Sequence, residues 1–290
     1  MNIGIIPYYI LKYGYEEGGR RMLAHGFEYL DFNLYANTDS ELYRNMGEEF
    51  IRDCEMYRDK LTGGGIRINQ IHGPWRWPSQ DGTEEDRAER FEKMSRATIA
   101  AGILGAKYIA LHPIMPFGYD SPEQPEEQFR LNVEFFSRLA SVAEENDVII
   151  CLENMPFSNL PTASISSILR IVREVNHPNL RVCLDTGHAN IVKPDPAEAV
   201  RLVGKELLMM LHIHDNMGDR DSHLPPALGY GTIDWEEFAT ALAEIGFDGV
   251  LSLETHVDEM TFAEEEREQR ELALAERAKW LAGLVDKKRA

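Results

Sequence analysis

The chain has 290 residues, three cysteines and 49 acidic against 30 basic side chains, a formal net charge of −19. This length fits one large α/β barrel, and the acidic surplus opposes a phosphate backbone, so nucleic acid is a poor candidate partner. No apolar run approaches the roughly 20 residues of a membrane span, the start lacks the pattern of a signal peptide, and the sparse, odd set Cys54, Cys151 and Cys183 fits a reducing, cytoplasmic setting.

Along the chain, short apolar or β-branched runs alternate with longer segments of helical period, the mark of a parallel sheet with crossover helices. The pattern predicts strands over 2–6, 29–33, 66–72, 108–112, 148–153, 181–185, 209–214 and 249–254. Helices are predicted over 15–26, 40–62, 84–104, 123–145, 163–175, 196–204, 235–245 and 262–284. Thr83 and Asp234 stand before acid-rich first turns, Pro196 suits a first helical turn, and Gly105 and Gly246 mark helix ends. Gly63-Gly64-Gly65 precedes a strand and reads as a turn, not a phosphate cradle. The charge-dense segment from Glu264 to Lys288 reads as a solvated face. With no Gly-x-Gly-x-x-Gly turn after the first strand, the pattern favours a closed (β/α)8 TIM barrel over an open doubly wound sheet. Residues 1–290 are expected to form that barrel as a single domain.

From the third strand onward, nearly every strand ends on a side chain that can bind a metal: His72, His112, Glu153, Asp185, His212 and Glu254. In a barrel these ends converge on one face, so residues distant in sequence meet around a common point. Alternation places Cys151, Cys183, Met210 and Ser252, two residues earlier, on the same interior face. Three of these four are small, which leaves room above them for carboxylates and a cation. Glu153, Asp185, His212 and Glu254 make an oxygen-rich set that suits Mn²⁺ and accepts Zn²⁺, Mg²⁺ or Co²⁺. Alternation puts His212 and His214 on one face, so register alone does not choose between them, and the alternative reading of Asp185 is a loop cap. His25, His177 and His256 read as surface or loop residues.

Five segments carry a resemblance: Cys151-Leu152-Glu153-Asn154, Leu184-Asp185-Thr186-Gly187-His188, Leu211-His212-Ile213-His214-Asp215, Leu253-Glu254, and the stretch from Asp221-Ser222-His223 to Asp234-Trp235. Over almost the whole length the chain resembles the xylose isomerase-like TIM barrel superfamily, which includes sugar isomerases and epimerases, inosose dehydratases and type-IV apurinic-site endonucleases. The resemblance implies that Glu153, Asp185, His212 and Glu254 hold one metal and that His188 contacts substrate oxygen. In the endonucleases, the matches to His72, His112, Asp221 and His223 join them to hold three zinc ions. These four residues and His188 are therefore candidates for additional metal. Ala227-Leu228 departs from the common Gly-Glu ahead of Gly229, which puts the shape of that loop in question.

The expected activity is a divalent-metal-dependent isomerase or epimerase acting on a small, unphosphorylated sugar or polyol through an enediolate. Glu153 and Glu254 serve as base and acid, while His188, His72, His112, His223 and Trp75 contact substrate. Trp77, Met115 and Phe117 are expected to join Trp75 in walling the pocket. A substrate phosphate is disfavoured because the segment Thr255-His256-Val257-Asp258-Glu259 is acidic and carries no glycine. The competing readings are a trinuclear-zinc phosphodiesterase, an inosose dehydratase-like lyase and a metal-free binding barrel. A homo-oligomer is compatible with the sequence.

Overall fold

A computed structural model describes residues 1–33, 43, 47–75, 81–227, 229, 231–255 and 264–289. Eight parallel strands form a nearly closed barrel: β1 (Asn2–Ile5), β2 (Tyr29–Phe32), β3 (Arg67–His72), β4 (Tyr108–Leu111), β5 (Ile149–Glu153), β6 (Leu180–Asp185), β7 (Leu208–His212) and β8 (Val250–Leu253). Each lies within two residues of its predicted bounds. The ladder runs β7-β6-β5-β4-β3-β2-β1-β8. Across the seam between β7 and β8, Ile213 N donates to Ser252 O at 2.8 Å and Glu254 N donates to Ile213 O at 3.0 Å. The barrel is thus drawn together beside His212 and Glu254.

The outer layer comprises α1 (Tyr8–Tyr13), α2 (Tyr15–His25), α3 (Gly47–Thr62), α4 (Glu84–Leu104), α5 (Pro125–Glu145), α6 (Ile165–Val175), α7 (Thr186–Ile191), α8 (Pro196–Val203), α9 (Trp235–Ile245) and α10 (Glu264–Arg289). Thr83 forms a capping box with Asp86, Asp234 accepts from Glu236 N and Glu237 N, and Gly105 and Gly246 close their helices in the left-handed region. Such caps each stabilise a helix by about 1 kcal/mol. Among the described residues no helix is long and apolar enough to cross a membrane.

Four local expectations require correction. The short helices α1 and α7 are absent from the predicted elements, since six residues are too few to display a helical period. His25 is buried, not superficial: its Nδ1 lies 2.7 Å from the Tyr9 hydroxyl. The last helix is not simply a solvated face. It buries Glu271, Leu274, Ala275, Ala278, Leu281, Ala282 and Val285, a stripe at spacings of three and four. Glu271, fully buried, accepts hydrogen bonds from the Tyr8 and Tyr13 hydroxyls at 3.0 and 2.7 Å, so α10 also anchors α1. Finally, β7 ends at His212, and His214 lies beyond the strand.

Candidate active site

The predicted strand-end residues gather at one mouth. Glu153 is buried at the end of β5, and its charged neighbours among the described residues are imidazoles, without a lysine or arginine. His212 Nδ1 lies 3.0 Å from Glu153 Oε1 and 3.1 Å from Glu254 Oε2. His72 Nε2 and His112 Nε2 face Glu153 Oε2 at 3.5 and 3.8 Å, both long for a direct hydrogen bond. Burial works to raise the Glu153 pKa, but the surrounding imidazoles, His212 foremost, outweigh it and hold the carboxyl well below the usual range. Burial pushes His112 down to about 3.

Asp185 occupies a second group beside the first. It caps α7, with Oδ1 accepting from His188 N at 2.6 Å, while Oδ2 faces His214 Nε2 at 3.0 Å. The capping role and a place in the site therefore coexist. Its connection to Glu153 passes through His188, whose Nδ1 is 3.5 Å from Asp185 Oδ1 and 3.8 Å from Glu153 Oε1. From the loop after β7, Asp221 Oδ2 lies 3.2 Å from both His188 Nε2 and His223 Nε2. Burial opposes protonation of these imidazoles, yet the adjoining carboxylates raise His188 to about 10 and His223 to about 9. Asp221 is correspondingly depressed against its own burial.

His214 stacks on His223 with centroids 4.0 Å apart, and this packing explains Gly187. A Cβ at that position would lie 2.0 Å from His214 Cε1, a clash that the flat ring cannot evade. The structure thus separates the two histidines that strand register left equivalent: His212 faces the glutamates, and His214 faces Asp185. Ala227 takes a φ of +59°, a conformation suited to glycine, at the position where the resemblance calls for Gly. Leu228 lies outside the described residues.

Backbone carbonyls orient three of the rings. His72 Nδ1 lies 2.8 Å from Gly73 O, His188 Nδ1 2.9 Å from Asn154 O, and His223 Nδ1 2.8 Å from Glu254 O. A carbonyl only accepts, so each Nδ1 carries the proton and each Nε2 is turned into the mouth.

Above these groups is a cleft of about 230 Å³. His72, His112, Glu153, His188, Asp221, His223 and Glu254 line its floor, and Asn33, Trp75, Met155, Pro156 and Phe157 its walls. The expected wall is corrected in part. Trp75 is in place, its ring 6.4 Å from that of Phe157 at 18°, but Met115 is buried with Met155, Leu160 and Ala163. Phe117 is not among the lining residues described, and Trp77 and His256 lie outside the described residues. Sequence reasoning missed Phe157, Met155 and Asn33. A signal existed for the first two: they follow Glu153 within four residues, where loops after barrel strands build sites.

The donor set fits a divalent cation. Glu153 Oε2, His112 Nδ1 and His214 Nδ1 are buried without hydrogen-bond partners. Ligand atoms of His72, His212 and Glu254, of His72, His112 and Glu153, and of Asp185, His188 and His214 each gather within 4.8 Å. Buried polar atoms left unpaired are costly, and imidazole and carboxylate atoms this close are what a transition-metal dication accepts.

Residues 20–284 match the family described as xylose isomerase-like TIM barrel, and the chain belongs to that family. An uncharacterized protein of Methanocaldococcus jannaschii is 33% identical over 196 residues, 63% of this chain and 63% of that protein. A D-psicose 3-epimerase of Ruminiclostridium cellulolyticum is 29% identical over 202 residues, 67% of this chain and 65% of its own. The matches span a little under two thirds of these relatives' length. In fold, the chain is similar to the crystal structure of the IOLI protein with a binding zinc atom, with a TM-score of 0.73 and 20% identity over 99% of both chains.

Proposed function

We propose that the protein is a divalent-metal-dependent isomerase or epimerase of a small, unphosphorylated sugar or polyol. The carrying observation is that Glu153 and Glu254 flank His212 Nδ1 at 3.0 and 3.1 Å on the floor of a cleft sized for a small molecule. Two carboxylates reaching one reaction centre from different strands can remove a proton from carbon on one side and return it on the other. The similarity to a D-psicose 3-epimerase supports the same chemistry. A neutral substrate is supported by a lining that contains neither lysine nor arginine among the described residues.

Glu153, Asp185, His212 and Glu254 would hold the cation, Mn²⁺ in this proposal, and it would stabilise negative charge developing on substrate oxygens. His188, with His72, His112 and His223 around it, would orient the hydroxyls. Trp75 and Phe157 would cover an apolar sugar face and exclude water. Buried Glu153 would exchange the proton with substrate carbon, and Glu254, at the lining of the cleft, would serve the opposite face. The free cysteines, all buried, accord with a reducing, cytoplasmic location.

The test is a screen of ketoses, aldoses and inososes with Mn²⁺, followed by NMR in deuterated water. Exchange of one substrate C–H that is lost in Glu153→Gln and in Glu254→Gln is expected. Undiminished exchange in both variants would reject the assignment. The separate grouping of His214, Asp221 and His223 is the observation favouring the trinuclear phosphodiesterase. Three zinc ions per chain with cleavage of abasic DNA would replace the sugar reading, whereas loss of water from an inosose would reassign it as a lyase.

A further inference from the structure

His212 is oriented differently from the other histidines of the mouth. His72, His188 and His223 turn Nε2 inward and give Nδ1 to a backbone carbonyl. His212 turns Nδ1 inward, toward Glu153 and Glu254, and its Nε2, buried and without a hydrogen-bond partner, lies 2.9 Å from Asp31 Oδ2, close enough to pair but out of hydrogen-bond alignment. Asp31 is on β2, across the barrel interior from β7, and is buried to 1% exposure. No lysine or arginine pairs with it among the described residues.

A chain of polar contacts fixes Asp31 in turn. The ladder between β2 and β3 shifts register after Leu30, pairing Asp31 with Gln70 and leaving Asn69 as the extra residue. Bulges of this kind re-aim side chains next to sites. Gln70, fully buried, donates from Nε2 to Asp31 Oδ2 at 2.8 Å, and its Oε1 accepts from Asn69 Nδ2 at 2.9 Å. The Asn69 contact sets which way the Gln70 amide faces, so an N–H and not an oxygen meets Asp31. Asp31 Oδ1 meanwhile has no hydrogen-bond partner. A buried carboxyl satisfied on one oxygen alone is unfavourable for stability in its own right, which points to a role at the neighbouring imidazole.

We propose that Asp31, held by Gln70, is a positioning residue that accepts a hydrogen bond from the Nε2–H of His212 in the metal-bound protein and thereby presents the Nδ1 lone pair to the metal. The inference rests on the metal-dependent reading given above. A carboxylate behind a ligating imidazole fixes the ring and strengthens it as a donor, and loss of such a partner weakens metal affinity by roughly 10- to 100-fold. Backbone carbonyls play the corresponding part for His72, His188 and His223. Asp31 differs in carrying charge to the donor that lies between the two proposed catalytic glutamates.

The experiment titrates Co²⁺ into full-length wild type, Asp31→Asn, Asp31→Ala and Gln70→Ala, reading the dissociation constant and the visible absorption of the bound ion. Asp31→Ala is expected to bind roughly 10- to 100-fold more weakly with an altered spectrum. Asp31→Asn, which keeps an acceptor but loses the charge, should fall between it and wild type, and Gln70→Ala should weaken binding several-fold. If the Asp31 variants fail to fold, the Gln70→Ala result decides. Wild-type affinity and spectrum in the folded variants would overturn this inference and leave the metal-dependent reading standing. No binding by wild type would overturn both.

Discussion

The mouth of the barrel holds two adjacent charge groups that differ in what positions them. Around Glu153, the partners His72, His112 and His212 stand at or just beyond the ends of β3, β4 and β7, with Glu254 immediately past β8. Around Asp185, the partners sit on the short helix α7, beyond β7 or in the loop that follows: His188, His214, Asp221 and His223. Parallel ladders fix the first group through many hydrogen bonds. The second has one ladder residue, Asp185 in register with His212, and is otherwise held by the Asp185 cap, carbonyl contacts to His188 and His223, a stacked ring pair and a loop whose His223 has a φ of +43°. Of the roles proposed above, both glutamates of proton transfer and three of the four cation ligands lie in the first group, while Asp185, His188 and His223 lie in the second.

The largest expected effect is on Glu153. Glu153→Gln should lower kcat by about 10²–10⁴-fold, the range for a positioned acid or base. Asp221→Asn in the second group should cost roughly tenfold or less, a tertiary contact being lost without the reacting carboxylate. Equal losses in C–H exchange would erase the distinction between the groups. Metal removal comes next. A cation held at 100 times its dissociation constant adds about 2.7 kcal/mol of stability, so chelation should lower Tm by roughly 4–5 °C. A melting curve unaffected by chelator or by added Mn²⁺ would remove the cation from the account.

In the metal-free protein, raised and lowered histidines should act on stability with opposite sign, a division that does not follow the grouping, since His72 and His212 are raised beside Glu153 while His112 is lowered. His188 and His223, raised to about 10 and 9, stabilise fully below the unfolded value near 6.5, and that stability is lost as pH rises through 9–10. His112, pushed down to about 3, acts oppositely: between 6.5 and 3 the unfolded chain binds a proton that the folded one refuses, so stability falls with pH. Urea unfolding followed over this range should show both slopes, with the alkaline one diminished in Asp221→Asn. An undiminished alkaline slope would dissociate it from the Asp185 group. At Gly187→Ala the effect is on stability alone, where the clash with His214 should cost about 1–3 kcal/mol. The loss should be relieved in the double variant with His214→Ala, and equal costs in both backgrounds would refute the packing explanation.

The sequence by itself determined the eight strands, most helix boundaries and the candidate side chains at the strand ends. Each depends on local periodicity, on a cap such as Thr83 or Asp234, or on the rule that barrel strands end on one face. Tertiary structure decided the rest. Alternation left His212 and His214 equivalent until the β7–β8 seam and the glutamates separated them, and His25 was recognisable as interior only once Tyr9 packed against it. Phe157 became a wall of the cleft, and Asp31 met His212, because barrel closure brings together side chains that lie far apart along the chain. A periodic pattern records which face a residue occupies, but which residue it meets across an interior is set by strand register and closure.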